Sequence, residues 1–392
     1  MADVAKPRVG FYGMGGIGKT VTGAAIVRDD AVRDHFDAIV WLPLGQTPVI
    51  SKLQNLCHMQ CVGKELSAEL SLEEKNEALQ QAMSAKRILL VLDDLWEDHH
   101  ESDLNFADVS AGSKVLISTR VKALLQGAHQ VEIRLPSPDD SVRMLLASAG
   151  APDGQTDPAG VREIVDLCGR LPLALGIAGR LVASLGLLGT DDWSGMLDVL
   201  REELRDTEKS HSGRKEEGMI RASLRGLKGS ADEQQSVKSV FMLFALVPED
   251  THASLEVLQL MYEAVYAGQH ASIMHLRKWL RILIDRSLVL GTIDRPSLHD
   301  LVLDFTVAQH SENDLRDKHR RVVEAFRASR PTNGHGQKKY DAMRRDDPIS
   351  AFVCSEIGHY LSKGWQPDME RDDLAMTGWL ADVPQDAIVL AA

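Results

Sequence analysis

The stretch Gly13-Met14-Gly15-Gly16-Ile17-Gly18-Lys19-Thr20 decides the fold. It fits the spacing G-x-x-x-x-G-K-[ST] of a phosphate-binding loop, whose glycines let successive backbone N–H groups point at one phosphate. Its flanks are those the motif needs. Arg8 to Tyr12 (RVGFY) reads as a short buried strand. The run TVTGAAIVRDDAV, starting at Thr20, reads as one helix that adds its positive N-terminal end to the site. Lys19 would reach the β- and γ-phosphates, and the Thr20 hydroxyl would ligate Mg²⁺. The expected phosphate contacts are Gly13, Gly15, Gly16, Ile17, Gly18, Lys19, Thr20 and the following Val21.

Outward from the loop, FDAIVWLPLG (Phe36 to Gly45) reads as a second strand. Pro48 to Val62 and Leu72 to Ser84 carry helical spacing of apolar residues. RILLVLDDLW (Arg87 to Trp96) is an apolar strand ending in two aspartates, GSKVLISTR (Gly112 to Arg120) is another ending in an arginine, and QVEIRL (Gln130 to Leu135) closes the series. Strands alternating with helices predict an α/β first domain over residues 1–134, a doubly wound parallel sheet of five strands. Ligands of such sheets sit at the carboxyl ends of the strands. The loop, Asp93-Asp94 and Arg120 all fall there. Asp93 would hold a magnesium-bound water, Asp94 would orient an attacking water as base, and Arg120 would sense the γ-phosphate through its guanidinium.

Composition bounds the rest. The chain has 392 residues and a formal net charge of −13, which argues against a broad nucleic-acid footprint. No apolar run approaches the length of a membrane span, and MADVAKPRVGF lacks a signal-peptide core. Four cysteines (Cys57, Cys61, Cys168, Cys354) are too scattered for a disulfide framework, so a reducing, cytoplasmic setting is expected. Cys57 and Cys61, in CHMQC beside His58, read as buried helix thiols, since no second ligand pair accompanies them.

Past Arg134 the sequence turns helical. Ser137, Pro138, Asp139 and Asp140 open one helix, Asp157-Pro158 another that Gly169 can end, and Leu171-Pro172 a third, apolar one. Residues 206–218 (DTEKSHSGRKEEG) read as a flexible linker. SVKSVFMLFALVP, LEVLQLMYEAV and MHLRKWLRILIDRSLVLGTI predict three amphipathic helices leading into a strand, with a hairpin turning at Asp294-Arg295-Pro296. That pattern is consistent with a winged helix, and Arg277, Lys278, Arg281 and Arg286 would give it a basic face. Residues 311–392 hold further charged or amphipathic helical segments and a loop, SRPTNGHGQKKY, with no fixed repeat period.

Seven segments together resemble successive motifs of the NB-ARC family, in the family's order: GMGGIGKT, FDAIVWLPLGQ, ILLVLDDLW, GSKVLISTR, CGRLPLALGIAG, FMLFALVPED and SLHDLVLDF. This family is the nucleotide-binding switch of plant immune receptors and of the apoptotic protease-activating factor, within the STAND ATPase class. The resemblance implies an ADP-bound off state, an ATP-bound homo-oligomeric on state, slow ATP hydrolysis and Mg²⁺ as cofactor, in innate-immunity or cell-death signalling. It implies an ARC1-like helical domain at 135–205, an ARC2-like winged helix at 219–310, and a helical tail that would begin a truncated repeat region. Pro172, within Gly169-Arg170-Leu171-Pro172, resembles the family residue packed near adenine and ribose. His299 resembles the histidine that approaches the β-phosphate of ADP. Leu298 stands where the family has methionine, Val21 where it has a second threonine, and only twelve residues precede the loop where the family places adenine contacts and effector domains. Two rival functions remain open at this point: a steady-turnover P-loop ATPase, and a nucleotide-gated transcription regulator acting through the winged helix.

Overall fold

Five strands form one sheet: β1 (Arg8–Tyr12), β2 (Ala38–Pro43), β3 (Ile88–Leu95), β4 (Lys114–Thr119) and the exposed edge strand β5 (His129–Glu132). A computed structural model describes residues 7–67, 70–152, 157–188, 190, 192–209, 215–249, 251–266, 271–329 and 347–364. The strand order is β2-β3-β4-β1-β5, and every pairing is parallel. Strands buried on both faces read as unbroken apolar runs. In β3, Ile88, Leu90 and Leu92 join one core and Leu89 and Val91 the other.

Helices α1 (Lys19–Arg28), α2 (Asp30–His35), α3 (Ile50–Val62), α4 (Leu72–Met83) and α5 (Asp98–Leu104) cover the two faces. Val40, Leu42, Leu79, Met83, Val115 and Ile117 fill one core; Phe11 and Leu116 pack with Ile26, Val32 and Trp41 in the other. Cys57 lies in the first core with its sulfur 3.8 Å from that of Met83.

The helix expected from Thr20 onward is two helices. Asp29 leaves the helical region (φ −64°, ψ 130°) and its side chain accepts from the Ala31 N–H, so it ends α1 and caps α2. The last strand starts one residue earlier and ends sooner than Gln130 to Leu135 predicts, and the Ile133 N–H still donates to the Tyr12 carbonyl at 2.8 Å, the last rung of its pairing with β1.

The chain divides into two units. One holds residues 1–139 and Arg170–Leu173, the other Asp140–Gly169 and Ala174–Ala392. Helices past the sheet are α6 (Pro138–Ala149), α7 (Val161–Leu167), α8 (Pro172–Leu185), α9 (Ser194–Lys209), α10 (Lys215–Arg225), α11 (Ala231–Leu243), α12 (Leu255–Val265) and α13 (Ile273–Asp285). A two-stranded antiparallel hairpin follows, β6 (Leu290–Thr292) and β7 (Arg295–Ser297), then α14 (Asp300–Ala308), α15 (Glu312–Ala328) and α16 (Pro348–Gly364). The hairpin turns at Ile293-Asp294; Arg295 and Pro296 already belong to β7. The segment 206–218 is helical at both ends, through Lys209 and again from Lys215; residues 210–214 lie outside the described residues. Buried Glu216, Met219 and Ile220 hold α10 in place from its first turn, so residues 215–218 belong to a packed helix.

Arg286 corrects the expected basic face. Its side chain is buried, and its guanidinium donates to the Ser223 and Gly226 carbonyls, both at 2.7 Å. Arg277 pairs with Asp294 and Lys278 with Glu233. Of the four cations, three are therefore engaged with this unit's own acceptors. The closing segments LAMTGWLADV and PQDAIVLAA, and the loop from Arg330, lie outside the described residues.

Candidate functional site

The phosphate loop sits between β1 and α1. Gly18 caps α1 in the left-handed region (φ 97°) with no side-chain cap, and the first turn carries no acid. The first N–H groups and the positive end of α1 are thus left to a ligand. Gly13 is required for a different reason. A Cβ there would lie 2.9 Å from the Ile133 carbonyl oxygen, which packs the loop against the end of β5. Ile17 is buried and anchors the loop from inside, and Gly16 takes a positive φ of 71°.

Lys19 is buried, and its ammonium donates to the carbonyls of Gly13 and Met14, both at 3.2 Å. It therefore bridges the mouth of the loop. Val21 is 72% exposed. Thr22, one turn from Gly18, donates its hydroxyl to the Gly18 carbonyl at 2.9 Å. That hydroxyl is spent on the helix and does not replace the threonine that Val21 lacks.

Asp93 and Asp94 lie within β3 and not past its end, because the strand continues to Leu95 across a bulge. Consecutive strand residues normally point to opposite faces. Asp94 adopts a left-handed backbone (φ 56°), which re-aims its side chain. Asp93 is buried; its Oδ1 accepts from the Ser118 hydroxyl at 2.5 Å and from the Thr20 hydroxyl at 3.2 Å. Asp94 Oδ2 accepts from the Trp96 indole N–H at 2.8 Å and from Arg120 at 3.4 Å. The Arg120 guanidinium also lies 4.9 Å from the Trp96 ring centre. So the loop, both aspartates and Arg120 converge as the sequence predicts, while Arg120 is held by Asp94 and Trp96.

Ser118 is the residue sequence reading missed. Its hydroxyl donates to Asp93 and accepts from the Asp94 backbone N–H at 2.8 Å, fixing both aspartates from the neighbouring strand. Its polarity gave no signal, because KVLIST also holds Lys114 and Thr119.

Pro172 is the first residue of α8, after Gly169 and Arg170, which both take positive φ (62° and 58°). The next residue, Leu173, donates its N–H to the Gly16 carbonyl at 3.4 Å, and Arg170 reaches the Pro136 carbonyl. The structure thus brings the Pro172 segment onto the phosphate loop. His299 belongs to the second unit, where it caps α14: its Nδ1 accepts from the Leu301 N–H at 3.2 Å. With Nδ1 accepting, the ring carries its proton on Nε2, an N–H donor of the type that suits an anionic oxygen.

The residues present fit a nucleoside phosphate with Mg²⁺. An uncapped helix start, a buried lysine on loop carbonyls and two hard-oxygen side chains, Thr20 and Asp93, at 3.2 Å form the donor set such a group requires.

Residues 2–153 match the NB-ARC domain family. A probable disease resistance protein of Arabidopsis thaliana is 28% identical over 262 residues, covering 64% of this chain and 27% of that protein. Apoptotic protease-activating factor 1 of Danio rerio is 26% identical over 337 residues, covering 81% of this chain and 25% of that protein. The chain therefore spans about a quarter of the length of these relatives. Among solved structures, a STAND protein with a tetratricopeptide repeat sensor from Pyrococcus horikoshii aligns over 98% of this chain and 55% of its own, with TM-score 0.51 and 15% identity. That likeness concerns the fold. Among the described residues, no helix is long and apolar enough to cross a membrane.

Proposed function

We propose, from the match of residues 2–153 to the NB-ARC domain family, that the chain is an adenine-nucleotide switch in defence or cell-death signalling. ADP would hold it off, ATP would hold it on and permit homo-oligomers, and slow hydrolysis would reset it in the cytoplasm. The observation that carries this reading is the meeting of Lys19, Thr20 and Asp93 at the uncapped start of α1, with the Pro172 segment hydrogen-bonded to the same loop.

In this reading the loop amides and Lys19 bind the phosphates, and Thr20 with Asp93 holds Mg²⁺, which would neutralise phosphate charge. Asp94 orients water, and Arg120, released from Asp94, answers to the γ-phosphate. Pro172 packs near the base. His299 Nε2 donates to the β-phosphate, and the winged-helix segment serves as its carrier. The Asp94–Arg120 pair favours a switch over a fast enzyme, since the groups assigned to hydrolysis neutralise each other at rest.

Heat denaturation of the purified chain should release adenine nucleotide, mostly ADP, at about one per chain, and Lys19→Ala should abolish it with a fall in Tm that vanishes when both proteins are stripped of nucleotide. Protein that binds neither ADP nor ATP would refute the switch. Turnover at about one per second or faster would instead favour the steady ATPase.

A further inference from the structure

The junction between β3 and α5 carries a second cluster of ligating side chains, three residues beyond Asp94. Glu97, His99 and His100 each offer one ligand atom, and these three atoms lie within 4.8 Å of one another. The sequence Glu97-Asp98-His99-His100 carries them on adjacent positions, yet the backbone gathers them: the two imidazole rings have centres 4.1 Å apart. His99 Nδ1 already stands 3.2 Å from Glu97 Oε2. Ligands bonded at about 2.1 Å to one tetrahedral zinc are roughly 3.4 Å apart, so that pair is at coordinating separation.

A surface glutamate beside a histidine is common and proves nothing. His100 is what distinguishes this cluster. Its side chain is 93% buried, being 7% exposed, and its Nδ1 has no hydrogen-bond partner. Buried polar atoms are nearly always satisfied, and an orphan calls for an ion or a water. Glu97 starts α5 without using its carboxylate as a helix cap, so that carboxylate stays available.

We propose that Glu97, His99 and His100 bind a divalent ion of the zinc class, at a site separate from the one assigned to nucleotide and magnesium. Two imidazoles and one carboxylate suit zinc, copper or nickel, whereas magnesium prefers oxygen ligands throughout. Three protein ligands leave a fourth position for water or an incoming donor. His100 is fixed by burial, and His99 and Glu97, both exposed, rotate to close the set. A bound ion would fix the first turn of α5, the element that follows the strand carrying Asp93 and Asp94.

The test uses the full chain without any histidine tag. Equilibrium dialysis against Zn²⁺ with elemental analysis should find about one zinc per chain, and cobalt substitution should give the visible bands of a four-coordinate centre. Glu97→Gln with His99→Ala alters only exposed side chains and should weaken zinc affinity at least about a hundredfold while leaving nucleotide content unchanged. Asp93→Asn should keep the zinc. The proposal falls if the double variant retains the parent's zinc affinity, or if zinc is lost with Asp93→Asn or with Cys57→Ser and Cys61→Ser.

Discussion

Asp93 concentrates the chemistry of one residue. Its carboxylate is buried between two hydroxyls, from Thr20 on α1 and Ser118 on β4. Asp93→Asn keeps the volume and replaces a charged acceptor by a neutral amide. It should weaken magnesium-dependent nucleotide binding by about tenfold to a hundredfold, yet leave ADP binding in chelator unchanged; isothermal titration with and without Mg²⁺ reads the difference. An equal loss in both conditions would assign Asp93 to scaffolding alone. The sequence makes Asp93 and the loop legible because charge at the end of an apolar run is rare. It hides Ser118 and Trp96, since neither departs from what strands and turns ordinarily hold. The partner of Thr22 was also hidden, because whether a hydroxyl bonds backward onto its helix is settled only by rotamer.

At the scale of the element, periodicity reveals a helix and says little about what its end touches. The three amphipathic helices of the second unit and the five strands are plain from apolar spacing. Asp98–Leu104, by contrast, forms a helix from DHHESDL, which has a single apolar residue, Leu104. Arg286 illustrates the same gap: it sits in a run of cations yet turns inward to satisfy two carbonyls at the end of α10. Arg286→Ala should cost about 2 kcal/mol by leaving those carbonyls unpaired, read as a shift in denaturant midpoint at unchanged slope. A surface arginine would give no shift.

His319, on α15, makes the α15–α16 packing acid-sensitive. Burial, with the charges of His359 and Lys363, pushes its pKa down from 6.5 to about 3. Between those values the unfolded chain binds a proton that the folded chain refuses. Stability is therefore complete above 6.5 and falls by about 1.4 kcal/mol per pH unit as pH drops toward 3. His319→Phe should flatten that part of the pH profile of denaturation; an unchanged slope would assign the acid sensitivity elsewhere.

The molecule as a whole is built of two units, and the division is not where helix content changes. Arg170–Leu173 lies in the second half of an otherwise helical stretch, yet belongs with the sheet. Residues before Asp140 and these four form one unit, the one that carries the phosphate loop. That return was legible only through the resemblance of CGRLPLALGIAG to a family motif, since no local pattern announces a distant contact. For the assembly, the expected outcome is a monomer with ADP and a larger species with a non-hydrolysable ATP analogue, measured by light scattering. Identical masses in both states would remove oligomerisation from the proposed cycle.

The left-handed backbone at Asp94 carries a consequence for how the protein tolerates change. Glycine, asparagine and aspartate occupy such a conformation most cheaply, while a β-branched residue there costs about 1–3 kcal/mol. A saturation library at this position, sorted for folded protein, should return chiefly those three residues. Sorted for nucleotide turnover, the same library should return aspartate alone. Two selections that ordinarily blur together are thereby separable at a single codon, and the asparagine and glycine variants are the ones in which loss of chemistry can be read free of loss of fold.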